Sequence, residues 1–398
     1  MSEIAERLAE LRESGLHRRM RLVESPQGPR VTLDGRRVLL LCSNDYLGLA
    51  DRAEVRDAAA EAALRRGAGA GASRLISGNM SPHAELERRL AAFKGYEAAL
   101  LFGSGYLANL GTIAALAGRS GVVFSDELNH ASIVDGCRLA RAETFVYRHG
   151  DVEHLAWGLR EAGGRGALIV SDGVFSMDGD VAPLADLIRL AREHGCRLMI
   201  DEAHATGALG PGGRGSVAAA GLSDEVDLVV GTLGKALGSY GAYVCASAEL
   251  REYLLNTARS FVFSTALPPP VLAAALAALT LLEEEPAMVE RLGANAAALR
   301  GALLAEGLPA GGGGSQIVPL EVGDARRTME LCERLLERGV FAQGIRPPTV
   351  PAGSSRLRFS AMATHDEADL REAARLTGEA AREVGVVAPT GDCLPVAA

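Results

Sequence analysis

Short apolar runs that end in small or polar residues alternate, across residues 100–247, with stretches whose apolar positions fall three and four apart. RGALIVSDG, CRLMIDEAH and VDLVVGTLG each carry four or five apolar residues before such an ending, the pattern of strands buried on both faces. Between the first two, PLADLIRLAREHG has helical spacing and stops at Gly195. Strand, helix, strand in that order predicts an α/β sheet with mostly parallel strands, flanked by helices. Ligands bind such sheets beyond the carboxyl ends of the strands, which directs attention to residues 171–176, 201–204 and 232–235.

Outside this stretch the pattern changes. The opening MSEIAERLAELRESGL reads as a charged amphipathic helix without the apolar core of a signal peptide. PPPVLAAALAALTLLEEEP, from Pro268, puts prolines in a first turn and continues as an Ala/Leu helix. After the Gly-rich AGGGGS of residues 310–315, QIVPLEV predicts a strand, DARRTMELCERLLERG a helix and SRLRFSAM another strand. Thr364 with Glu367 makes a capping-box pattern for a last helix. These shifts predict an arm over residues 1–45 that packs near the small domain, a large domain over 46–285 and a smaller α+β domain over 286–398. The tail VVAPTGDCLPVAA reads as a frayed end, and the chain has no internal repeat.

Composition narrows the function classes. At 398 residues, 48% hydrophobic and 23% charged, the chain has the make-up of a globular protein with a sizeable core. A net charge of −9 disfavours a nucleic-acid or anionic-membrane surface, and no run reaches the ~18 apolar residues of a membrane span. Six cysteines (Cys42, Cys137, Cys196, Cys245, Cys332 and Cys393) are scattered without a CxxC pair. That scatter disfavours a zinc knuckle or disulfide framework and fits a reducing, cytoplasmic location.

Two familiar signatures fail on inspection. DEAH at residues 201–204 has the letters of a helicase box, but no GxxxxGK[ST] accompanies it: Val229 stands where the first glycine belongs and Ala236 follows the lysine. GAGAGASR, residues 67–74, looks like a dinucleotide loop, yet Arg74 occupies the place of the third glycine and a helical stretch precedes it. What remains is Lys235 in GTLGKALGS. Most lysines are simply solvated, but one at an apolar strand end has its pKa pushed down and its amine made nucleophilic, and Gly234, Ala236 and Gly238 leave room for a ligand. Asp201 follows an apolar strand; its plain role is a turn or cap, and its chemical one is to keep a pyridine nitrogen protonated. His204 could donate to a phenolic oxygen or be a satisfied structural histidine. Gly103, Ser104 and Gly105 precede a helical run and could cradle a phosphate or only turn the chain. His130, in DELNHASI, could lie flat on a ring.

With these residues assembled, the chain resembles the α-oxoamine synthases, a branch of the fold-type-I pyridoxal-phosphate enzymes, over essentially its whole length. The matching strings are SNDYLGL, GSGYLAN, NHASI, GVFSMDGD, DEAHATG, GTLGK and FSTALPP. The resemblance implies a fold-type-I transferase fold, with pyridoxal 5'-phosphate as cofactor. It implies Lys235 as the lysine bonded to the cofactor, Asp201 at the ring nitrogen, His130 stacked on the ring, and Ser176 and His204 near the phenolic oxygen. It implies Gly105, Tyr106 and Thr232 around the phosphate, with Ser264 and Thr265 reaching it from a neighbouring subunit, hence a homodimer. Asn44, Thr349 and Arg18 are the implied substrate contacts, Arg18 being chosen among Arg18, Arg19 and Arg21. Alternation puts Arg356 and Arg358 on one strand face, and the family motif favours Arg358 for the amino acid's carboxylate. IRPPTVPAG points to the family's branch that condenses L-alanine with a pimeloyl thioester, carried by coenzyme A or an acyl-carrier protein. The alternative is a sister activity such as joining glycine to acetyl-CoA.

Overall fold

A computed structural model describes residues 2–387 of the chain. The chain divides into two compact units: Asn44–Arg291, and the residues up to Ser43 together with those from Leu292 onward. All but the first two residues of the tail VVAPTGDCLPVAA, Cys393 included, lie outside the described part.

The first unit is built on a seven-stranded sheet in the order Ala98–Phe102, Ala242–Ala246, Leu228–Thr232, Arg197–Asp201, Gly166–Asp172, Val122–Asp126, Glu143–Tyr147. Only Ala242–Ala246 runs against its neighbours; every other pairing is parallel. The three strands expected from their apolar runs are therefore adjacent in the middle of the sheet. Leu198, Met199 and Ile200 are almost wholly buried, each contributing about 1.5–3 kcal/mol by leaving water. The helix Leu184–His194 joins two of these strands, buries Leu184, Leu187, Ile188, Leu190 and Ala191, and ends at Gly195 with φ 63°. Helices Gly105–Leu116 and Ala131–Ala140 pack on one face of the sheet through Ile113, Ile133 and Cys137.

In the second unit, Ile317–Gly323, Ser355–Ser360 and Gln343–Ile345 form an antiparallel sheet with Ser355–Ser360 at its centre. Leu357 and Phe359 join a core with Leu331 and Leu335 of helix Ala325–Glu337 and Leu370 of helix Glu367–Glu383. A hairpin, Arg30–Leu33 with Arg36–Leu40, turns on Asp34 and Gly35, both at positive φ (47° and 77°), the conformation that an Asp-Gly pair accepts most readily. Its second strand pairs in parallel with Val340–Phe341. The capping box expected at Thr364 and Glu367 does not form. The last helix starts at Glu367 itself, with Asp366 as the N-cap residue and no side-chain cap bond, because the expected pattern began two residues early.

Five of the cysteines are free thiols, and no group of three potential metal ligands occurs among the described residues. No helix among them is long and apolar enough to cross a membrane.

Candidate active site

Four segments at the carboxyl end of the sheet carry the titratable groups. Arg197–Asp201 delivers Asp201, which lies level with Asp172 on the adjacent strand. A buried carboxylate needs donors, and Asp201 has two: Asn109 Nδ2 at 2.7 Å and the Ala203 N–H at 2.9 Å. The compensating partner is thus an amide from helix Gly105–Leu116, not the cation that a buried carboxylate commonly takes. Asp172 accepts from the His130 N–H at 3.0 Å, and burial, with Asp201 beside it, raises its pKa well above the usual carboxylate range.

Asn109 Nδ2 also donates to Ser132 Oγ at 2.8 Å, and Ser132 Oγ lies 2.7 Å from His130 Nδ1. The Ser132 N–H donates to the same ring nitrogen. With the serine oxygen already accepting, its proton goes to the histidine, so Nδ1 is an acceptor and the neutral ring carries its proton on Nε2. Desolvation lowers the pKa of His130, with Asp201 opposing and Lys235 reinforcing the shift, so a neutral ring is the resting form. The fields of Lys235 and Asp201 both reach His130 and Asp172, which brings these four groups to one place.

Lys235 sits just past Leu228–Thr232, half-buried, its Nζ 2.8 Å from His204 Nε2. His204 Nδ1 in turn lies 2.6 Å from the hydroxyl of the fully buried Tyr46, which donates to Asn44 Oδ1 at 3.1 Å. Lys235, His204, Tyr46 and Asn44 thus form one continuous hydrogen-bonded chain, in which the tautomer of His204 sets the donor in each of its two contacts. The room expected around the lysine is only partly there: Gly234 is exposed, but Ala236 is buried and a Cβ at Gly238 would meet Ala50 N at 2.4 Å.

The remaining expected residues fall as follows. Gly105 opens helix Gly105–Leu116 with nothing within 4 Å of a Cβ built on it, and Ser104 caps that helix through the Leu107 N–H. Tyr106 is exposed and bonds to Asp135. Thr232 Oγ1 donates to Gly241 O at 3.0 Å and accepts from the Gly234 N–H. Ser176 is on the loop after Gly166–Asp172, which closes through a Val174–Val181 bridge. Thr265 bridges Ser73. In the second unit, Arg358 is buried at the centre of its sheet with Nη1 donating to Ser360 Oγ at 3.1 Å, and Arg356, two residues earlier on the same face, is buried as well. Arg18 Nη2 reaches Pro347 O at 3.4 Å, and the Thr349 N–H donates to Arg346 O.

A lysine beside a histidine, a buried carboxylate held by an amide, a neutral histidine, and an open glycine at a helix start make a donor set that fits pyridoxal phosphate. The aminotransferase class I and II family profile matches residues 36–376. The chain belongs to this family. Within it, the 8-amino-7-oxononanoate synthase of Citrifermentans bemidjiense is 54% identical over 97% of this chain and 100% of its own length. That of Geobacter sulfurreducens is 56% identical over 96% and 99%. A serine palmitoyltransferase from S. paucimobilis, solved with a PLP–myriocin aldimine bound, superposes with a TM-score of 0.92 at 34% identity, covering 97% of this chain and 98% of that one. An 8-amino-7-oxononanoate synthase from Francisella tularensis gives 0.76 at 28% identity, over 87% and 98%. This member of the class I and II aminotransferase family therefore has the fold-type-I pyridoxal-phosphate transferase fold and is an enzyme of the acyltransferase branch.

Sequence reasoning missed three residues that brace the candidate site. Tyr46 and Asn109 lie inside strings already singled out, SNDYLGL and GSGYLAN, but their partners are 158 and 92 positions away. The third is His149, whose Nδ1 lies 3.0 Å from Asp126 and whose Nε2 lies 2.9 Å from Asp180, tying the strand end to the loop that carries Ser176. The two carboxylates raise its pKa to about 10. A folded-state pKa raised above the ordinary 6.5 gives stability that is full below about pH 6.5 and is lost as pH climbs toward 10. Melting temperature should therefore fall over that window in the wild type and fall less in His149→Gln. Parallel melting curves for the two proteins would rule out the bridge.

Proposed function

We propose that the enzyme condenses L-alanine with a pimeloyl thioester, with loss of carbon dioxide, to give 8-amino-7-oxononanoate and the free thiol carrier. The observation that carries this reading is the meeting of Lys235, His204, Asp201 and His130 at the carboxyl end of the sheet, together with relatives of that name matching almost end to end. Bound pyridoxal phosphate supplies an electron-withdrawing ring that stabilises a carbanion at the amino acid's α-carbon.

Lys235 Nζ would hold the cofactor, and the same amine, when free, is placed to take alanine's α-proton as general base. His204, held through Nδ1 by the Tyr46 hydroxyl, presents Nε2 to that amine and keeps it in place. Asp201, its carboxylate fixed by Asn109, holds the ring nitrogen protonated. His130, neutral with its proton on Nε2, would lie against the ring and is placed to donate to the acyl oxygen as negative charge develops there. Gly105, Tyr106 and Thr232 take the phosphate, with Ser264 and Thr265 contributed by the second subunit of a homodimer, and Ser176 supports the phenolic oxygen. Arg358 receives alanine's carboxylate as a two-pronged pair, and Asn44, Thr349 and Arg18 contact the substrates. We assign the enzyme to the cytoplasm, with coenzyme A or an acyl-carrier protein as thiol carrier.

The TM-score of 0.92 against a serine palmitoyltransferase supports a second reading, a sister condensation with another amino acid and acyl group. Thiol release measured with alanine, glycine and serine against pimeloyl, acetyl, succinyl and palmitoyl thioesters decides between them. Alanine with pimeloyl should be fastest; a preference for glycine with acetyl, or serine with palmitoyl, moves the enzyme to the sister activity. Because a methylene in an apolar pocket is worth only about 1–3 kcal/mol, neighbouring chain lengths should be turned over as well.

A further inference from the structure

The string GAGAGASR has no part in the proposed reaction, yet its last residue is the hub of a buried network. Arg74 donates Nη1 to Glu87 Oε1 at 2.9 Å, Nη2 to Glu87 Oε2 at 3.0 Å and Nε to Asn79 Oδ1 at 2.8 Å. Both partner side chains of the pair are only 8% exposed, and the guanidinium lies 5.8 Å from the centre of the Phe261 ring. Glu87 Oε1 also accepts the Leu101 N–H at 3.0 Å, in the strand that runs into the Gly103–Tyr106 turn. On the other side of Arg74, Ser73 bridges Thr265, and the Ala266 N–H donates to Ala72 O at 3.0 Å. The loop is folded tightly back on itself, since a Cβ at Gly78 would lie 2.1 Å from Ala72 O. Arg74, Gly103, Ser264 and Thr265 line one cavity of about 20 Å³.

The fork-shaped ion pair thus binds the strand that leads into GSGY through the Leu101 N–H, while the residue before Arg74 in the chain, Ser73, bridges Thr265 of FST. A buried pair of this kind adds little net stability against an apolar replacement, but a two-pronged guanidinium–carboxylate contact fixes distance and angle together. We propose that Arg74 is a positioning residue for phosphate binding: its grip on Glu87 sets the Ser264–Thr265 segment and the Gly103–Tyr106 turn at the places where each meets a cofactor phosphate. This rests on the proposed function for the identity of the ligand.

The test compares pyridoxal phosphate with pyridoxal, which lacks the phosphate, by titrating each into the full-length protein and following absorbance. Arg74→Lys keeps the charge and loses the fork; it should bind pyridoxal phosphate about tenfold more weakly while binding pyridoxal within about twofold of the wild type. The paired variant Arg74→Met with Glu87→Met removes both charges together, so no lone ion is left buried, and should show the same selective loss. It decides the matter if Arg74→Lys does not fold. Equal weakening for both ligands, or an unchanged preference for the phosphorylated one, overturns the proposal. A wild-type protein that binds neither ligand overturns the proposed function instead.

Discussion

Replacing Lys235 by Ala should lower turnover by a factor on the order of 10³ or more, because the variant loses the covalent anchor and the general base in one step. The fold should survive. Lys235 is half-buried on a turn, and His204 keeps its second partner, Tyr46. Two signals accompany the loss in activity: the absorbance band of lysine-bound cofactor disappears, and borohydride no longer attaches cofactor at position 235. Normal turnover in this variant would remove the basis for every role assigned around it. A wild-type preparation that stays colourless with added pyridoxal phosphate would instead indicate a protein that keeps the fold without the chemistry.

The second large effect is on stability. Lys94 Nζ is hydrogen-bonded to Glu202 and to Arg214 O, with Thr206 Oγ1 at 3.3 Å. Glu202 also accepts from Ser216 Oγ at 2.9 Å and the Val217 N–H at 2.8 Å. The two side chains are 2% and 0% exposed. Lys94→Met leaves an interior carboxylate without its counter-charge, which should cost about 3–5 kcal/mol. Lys94→Met with Glu202→Leu should recover most of that loss, since a buried ion pair is close to neutral against a well-packed apolar one. Urea denaturation of the three proteins gives both numbers. A single variant as stable as the wild type would mean that water reaches Glu202. The pair also matters to the chemistry, because Glu202 stands between Asp201 and His204, and the turn that carries both is held through it.

The central strands and the helix Leu184–His194 were readable because each is local: a run of buried β-branched and leucine residues, or leucines three and four apart with a glycine stop, needs no distant partner to be recognised. The same locality placed Asp201 and Lys235 at strand ends. Readings failed where a partner far along the chain decides. Nothing near Tyr46 announces a histidine at 204, nothing near Asn109 announces a carboxylate at 201, and Arg74 looked like a misplaced residue in a glycine loop until Glu87 appeared beside it. The last helix shows a smaller, local failure: a capping pattern is a preference, and here the chain enters the helix at Asp366 without using it. The hairpin at Asp34–Gly35 did have a local signal that went unread, an Asp-Gly pair between two apolar runs.

Gly238 closes the turn that begins at Lys235, at φ 56°, with its α-carbon turned against the backbone of Ala50. Any larger residue there would have to push the SNDYLGLA segment outward or drag the nucleophile off its mark, and that segment also carries Tyr46 and Asn44. Volume at a single hydrogen atom therefore governs the amine and the hydrogen-bonded chain behind it together, so attempts to widen the substrate range by mutation have to leave this turn untouched.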